Sequence, residues 1–287
     1  MDVRVLGALE IEIDGGPLRL TRRRERCLLG VLLLEANTVV PTRRLVDLLW
    51  DGAPPPSARA GVQVHISRLR ALLAARDDGT AGVGLERQAD GYVARTDPAR
   101  VDAHRFQALV ARANSIAQQP RVQARLLRQA LGMWRGPLLA NEASDLLRSR
   151  ISVPWREMRL SAIESVVEAE LSCGRAREVI GELATLTEQH FHRERFHELL
   201  MLALYRCGRQ AEALEVYRTT RARLRADLGI EPGPGLRSLH QQILTGDPAL
   251  GSPGGGPHPR VASPGHRHTL SSRRSTSSRA ARRTWRS

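Results

Sequence analysis

An internal repeat constrains this chain more than any other feature of its sequence. Leu171-Ser172-Cys173-Gly174-Arg175 realigns with Tyr205-Arg206-Cys207-Gly208-Arg209, and the match continues through Glu178/Glu212 and Ile180/Leu214, so the offset is 34 residues, the distance from Cys173 to Cys207. That is the length of a two-helix unit. A single unit leaves its apolar side uncovered and buries it only by stacking on neighbours, so this part of the chain is expected to be a curved helical array. Strand signals end near Val101, and Asp102 stands as a cap before Ala103-His104-Arg105-Phe106. Cys173 and Cys207 fall at equivalent small positions at helix ends. With Cys27 they make an odd set without a CxxC pair, which argues against a disulfide framework or a metal site.

The first hundred residues are patterned differently. Val3 and Val5, then Leu9, Ile11 and Ile13, alternate, and Asp14-Gly15-Gly16-Pro17 makes a turn before Leu18 and Leu20. This predicts a small antiparallel sheet. From Arg24 the period changes to that of a helix, with Leu28, Leu29, Leu32, Leu33 and Ala36 on one face and Asn37 closing it. A second short helix follows Pro41, with Leu45, Leu48 and Leu49 inward. Asp51-Gly52-Ala53-Pro54-Pro55-Pro56 cannot hold regular structure, because consecutive prolines remove donors and force their predecessors to be extended. Ser57 is the expected cap of a third helix running to about Arg76, whose Val62, Ile66, Leu69 and Leu73 form a buried stripe. Two short strands, Gly84–Gln88 and Tyr92–Arg95, flank a turn at Ala89-Asp90-Gly91.

Sheet, three helices and hairpin is the element order of a winged helix-turn-helix of the response-regulator type. The fold class expected is mainly α: that module with its small antiparallel sheets, then an all-α tetratricopeptide-like repeat domain. With its apolar stripe inward, the third helix presents Ser57, Ala60, Val64, Ser67, Arg68 and Ala71 outward, with Gln63 and Arg70 on one edge and Gly61 and His65 on the other. Such a small, polar and cationic face fits a major groove. Arg87 and Arg95 on the hairpin are placed for phosphates. The candidate DNA-binding set is therefore Ser57, Arg59, Gln63, Val64, His65, Ser67, Arg68, Arg70, Arg87 and Arg95. Asp51, Gly52, Ala53 and Pro54, beside the DNA yet free of the core, are the candidate polymerase contact. A winged helix also serves as a protein-docking module, so a helical-repeat adaptor is the competing class.

Charge alone does not name a nucleic-acid binder. The net charge is +14, yet every one of the 44 cations is arginine, as a GC-rich genome would produce, and residues 1–100 carry only a small excess of arginines over acids. The arginines beyond Asp247 face no acids at all. The absence of lysine removes P-loop and Schiff-base chemistry. No nucleophile–base–orienter set stands out, and His190, His192 and His197 lack partners at a ligand spacing, so no enzyme and no cofactor are expected. The start lacks a signal pattern, and the longest apolar stretch, Cys27 to Leu34, is far short of a membrane span. A cytoplasmic, nucleoid-associated protein is expected. Residues 248–287, rich in Gly, Pro, Ser and Arg, read as a disordered tail, after a DNA-binding domain over 1–100 and a repeat domain over 101–247.

Val39-Val40-Pro41 through Leu45-Val46-Asp47-Leu48-Leu49-Trp50 with Pro54-Pro55, and Gln63 through Arg70, resemble the actinomycete antibiotic regulatory proteins, the SARP family. The likeness continues through Asp90-Gly91-Tyr92, Val101 to Phe106, Trp134-Arg135-Gly136, Leu202 to Tyr217, and Glu231-Pro232-Gly233-Pro234, covering roughly residues 3–250. It implies a winged helix followed by a bacterial transcriptional activation domain in the small form without an ATPase module. It further implies a pathway-level activator of secondary-metabolite genes. Paired protomers would bind direct repeats in double-stranded DNA near the promoter and recruit RNA polymerase holoenzyme, with no cofactor. Arg43, the Phe191-His192 pair and the arginine-rich tail depart from the family pattern.

Overall fold

The computed structural model describes residues 1–13, 15–75, 82–140 and 145–251, with side chains of the last segment from residue 149 onward. Alternation of buried and exposed residues produces an antiparallel sheet of β1 (Asp2–Arg4), β2 (Glu10–Ile13) and β3 (Gly16–Pro17), with Val3 opposite Ile11. Helix α1 (Arg23–Leu34) is buried from Cys27 to Leu34 on every side rather than along one stripe, because protein covers all of its faces. Asn37 lies beyond its end at φ 64°. Its amide exchanges hydrogen bonds with the backbone of Thr96, donating to the carbonyl at 2.8 Å.

Val40–Pro41, read from sequence as a lead-in to a helix, form a strand, β4. It precedes α2 (Thr42–Leu49), α3 (Ala58–Ala74) and the hairpin of β5 (Val83–Gln88) and β6 (Gly91–Thr96), and the sheet order is β4-β6-β5. The hairpin turn is the pair Ala89-Asp90, and Gly91 belongs to β6, opposite both Gln88 and Pro41. A glycine is needed at 91 for space rather than for the turn, since a Cβ there would run into the Val40 carbonyl. Ser57 stands at the head of α3 but its side chain makes no cap bond. Its ψ of 3° is not extended, so the hydroxyl does not swing over the helix end.

After a single 3-10 turn (Pro98–Arg100) the chain is helical: α4 (Asp102–Ser115), α5 (Pro120–Leu131), α6 (Asp145–Ser172), α7 (Ala176–Gln189), α8 (Glu194–Arg206), α9 (Gln210–Leu228), α10 (Pro234–Thr245) and the short α11 (Pro248–Gly251). At the two helix ends that the sequence repeat marks, the backbone repeats as well. Gly174 at φ 77° and Gly208 at φ 75° close α6 and α8. Arg175 N donates to Glu170 O and Arg209 N to Leu204 O, each at 3.0 Å. Ion pairs lace successive helices, as where Arg128 of α5 reaches Glu170 of α6 and Glu182 of α7, each at 2.7 Å. His197 is buried between the Phe191 carbonyl and the Thr220 hydroxyl, and burial lowers its pKa. Phe191 is itself buried, under the Arg223 guanidinium at 4.0 Å. The expected tail begins too early at 248: α11 returns Leu250 to the core, and Arg206 Nε holds its carbonyl at 2.9 Å. Residues 252–287 lie outside the described part.

The winged helix and the array share one hydrophobic core. Val3 bridges to Val101 in parallel. Asp102, 2% exposed, accepts from Val5 N at 2.8 Å and Leu6 N at 3.1 Å. Burial outweighs these bonds and the nearby Arg135, and raises its pKa. Arg135 N donates to Leu6 O, Leu139 N to Val5 O and Ala140 N to Gly7 O, while Leu139 packs on Gly30 of α1. The stretches around Val101–Phe106 and Trp134–Gly136 thus clasp the N-terminal sheet.

Candidate DNA interface

Helix α3 owes its place to its inward stripe: Ala58, Val62, Ile66, Leu69 and Leu73 are all buried against the core of the winged helix. The period that buries them turns the other side out, and Arg59, Ala60, Gln63, Ser67, Arg68 and Ala71 are exposed. Val64, 46% exposed, is an apolar side chain at the middle of that face, a shape suited to a thymine methyl.

The two edges of the helix are engaged differently. On one, Arg70 donates from Nε to the Leu85 carbonyl of β5 at 2.8 Å, so this arginine is a strut between α3 and the hairpin and only part of its fork is turned outward. On the other, His65 sits against α1, with Nδ1 3.5 Å from the Glu25 carboxylate, and Gly61 faces Trp50. A Cβ at 61 would lie 3.1 Å from the Trp50 ring, and the Arg24 guanidinium covers that ring at 4.8 Å. The bareness of α3 at Gly61 therefore serves packing. Glu25, Arg24 and Trp50 escaped the sequence reading. The signal for Glu25 was available: it precedes Leu28 and Leu29 by one helical turn and so puts a carboxylate on the buried stripe of α1.

On the hairpin, Arg87 and Arg95 fall on opposite faces. Arg87 is paired with Tyr92 in the register, on the face that carries Leu85, whereas Arg95 is opposite Gly84. Arg95 donates from Nε to Glu86 at 3.2 Å and from NH2 to Gln88 at 3.1 Å. Arg87 is exposed and has no charged partner among the described residues. The candidate polymerase-contact residues, Asp51, Gly52, Ala53 and Pro54, are all exposed, with φ of 54° at Asp51 and 82° at Gly52. The loop is anchored at its start, where Gly52 N donates to Asp47 O and Ala53 N to Trp50 O.

Residues 101–244 match the bacterial transcriptional activator domain, and residues 15–88 match the C-terminal domain of transcriptional regulatory proteins. The transcriptional regulator RedD of Streptomyces coelicolor is 36% identical over 257 residues, covering 88% of this chain and 73% of RedD. The chain belongs to the SARP family. It is a DNA-binding transcriptional activator of that type, and both matching families describe regulators rather than enzymes. The regulatory protein AfsR of the same organism is 40% identical over 249 residues, which span only 24% of AfsR. A solved structure of Mycobacterium tuberculosis EmbR, in complex with a low-affinity phosphopeptide, superposes with a TM-score of 0.78 at 35% identity, covering 86% of this chain and 65% of that one. Regulators of this family bind DNA and act on RNA polymerase. Among the described residues no helix is long and apolar enough to cross a membrane.

Proposed function

We propose that this SARP-family protein binds direct repeats in double-stranded DNA as paired protomers. Its α3 lies in the major groove, its hairpin lies on the neighbouring backbone, and its Asp51–Pro54 loop touches RNA polymerase holoenzyme. The genes it switches on belong to a secondary-metabolite cluster, and its place in the cell is the nucleoid. The observation that supports this reading best is the division of α3, fully buried on one side and bearing Arg59, Gln63, Val64, Ser67 and Arg68 exposed on the other. Arg68 and Gln63 have the donor patterns that read guanine and adenine edges. Ser57 and Arg59 at the helix head suit phosphates, as does Arg87 on the hairpin.

The test is to recover the genomic DNA that the full chain retains, then to measure binding to that site as salt is raised. Affinity is expected to fall steeply and linearly on a log–log plot, and Arg68→Ala is expected to weaken the chosen site more than unrelated DNA. A binding curve indifferent to salt, with Arg68→Ala unaltered, would instead fit a winged helix that docks protein.

A further inference from the structure

Among the described residues, Glu25 is the one acid buried beneath the exposed face of α3. It is 3% exposed, in the first turn of α1, and three groups converge on its Oε1: Arg22 NH1 at 3.3 Å, His65 Nδ1 at 3.5 Å and Arg68 NH1 at 3.8 Å. A carboxylate taken out of water needs partners, and two of these three come from α3 itself. His65 Nδ1 is buried and finds no hydrogen-bond partner even beside Glu25, so its ring serves as a wall of the pocket. The Arg68 side chain is 48% exposed, and Glu25 is the only acid within ion-pair distance of it among the described residues. At 3.8 Å the pair is loose. It directs one end of the guanidinium inward and leaves the rest of a planar fork of five donors turned to the outer face.

We propose that Glu25 is a positioning residue for DNA recognition, holding the Arg68 guanidinium in the orientation in which its fork meets one base edge. This rests on the reading of α3 as the DNA-contacting helix. A flexible arginine is drawn to any phosphate, and base readout favours one orientation, toward which the buried carboxylate draws one end of the Arg68 guanidinium. Glu25 touches no DNA in this arrangement. It acts on specificity through Arg68, with Arg22 and His65 completing the pocket around it.

The experiment uses the full chain and short duplexes selected from a random library by the unaltered protein, together with every single-base substitution of them. Glu25→Gln is nearly isosteric and removes the charge. It is expected to flatten the preference at the base pair that Arg68→Ala also flattens, by about tenfold, while affinity for unrelated DNA stays the same. The double variant Glu25→Gln/Arg68→Ala is expected to match Arg68→Ala alone, because the two changes remove one interaction. Glu25→Asp keeps the charge, withdraws it by one methylene and guards against a failure to fold. It is expected to flatten the same base pair. A uniform loss at all sequences, or additive effects in the double variant, would overturn the proposal and leave Glu25 a purely structural residue. If Arg68→Ala itself changes nothing, the reading of α3 falls and this inference falls with it.

Discussion

The contact between Gly30 and Leu139 gives a sharp test of how the winged helix is joined to the array. A Cβ built on Gly30 would lie 2.6 Å from Leu139 Cδ2 and 3.2 Å from Cδ1, so Gly30→Ala must displace a side chain that is 1% exposed. Such overpacking costs about 1–3 kcal/mol. Alanine returns about 1 kcal/mol as the better helix former. The single change should therefore destabilise by roughly 0–2 kcal/mol. Leu139→Ala empties the same space and should cost about 2–5 kcal/mol. Leu139 has φ 48°, a strain that alanine shares, so the substitution reports the side chain and not the backbone. In the Leu139→Ala background the new methyl at position 30 enters the vacated volume, and Gly30→Ala should change sign and stabilise by about 1 kcal/mol. The assay is the urea midpoint of the four proteins at one pH, in which the expected order, from most to least stable, is unaltered chain, Gly30→Ala, double variant, Leu139→Ala. Equal shifts from Gly30→Ala in both backgrounds would refute the reasoning, because they would mean that Leu139 is not what limits the space beside α1.

Arg87→Ala should weaken DNA binding at all sequences alike and lower the log–log salt slope by about one, whereas Arg95→Ala, whose guanidinium is already occupied by Glu86 and Gln88, should change it little; titration at several salt concentrations compares them. His197 has a pKa depressed by burial, so it stays neutral in the folded chain while the unfolded chain takes up a proton near the ordinary value of 6.5. Stability it supports is whole above that pH and lost as pH falls through the depressed value; thermal midpoints from neutral to mildly acidic pH should decline, and His197→Gln should make the decline shallower. Replacing Asp51 with Arg and Ala53 with Leu, prolines intact, should abolish activation of a promoter fused to a reporter while leaving DNA affinity unaltered; a joint loss, or no change in either, removes the loop as the polymerase contact.

Local pattern in the sequence carried what depends on near neighbours. The period of α3 fixed its buried residues, and the offset between Cys173 and Cys207 fixed two helix ends with matching hydrogen bonds. Both are repetitions along one segment, and burial and backbone closure follow from such spacing directly. The outward set on α3 was legible for the same reason, as the complement of the stripe. What the outward residues do with their side chains was not. Arg70 bonds to a carbonyl 15 residues away, and Arg68 leans toward an acid on another helix. Those partners are chosen by how helices and hairpin pack, and no periodicity encodes that. The same holds for Asp102, expected from the sequence to cap α4: the cap is Val101, and Asp102 is the first residue of the helix, its carboxylate accepting from backbone outside it. Only tertiary structure sets it against the amides of Val5 and Leu6, 97 and 96 residues earlier in the chain. Sequence determined which faces are apolar; the fold decided which faces meet, because contact across the chain depends on the summed geometry of every element between the partners.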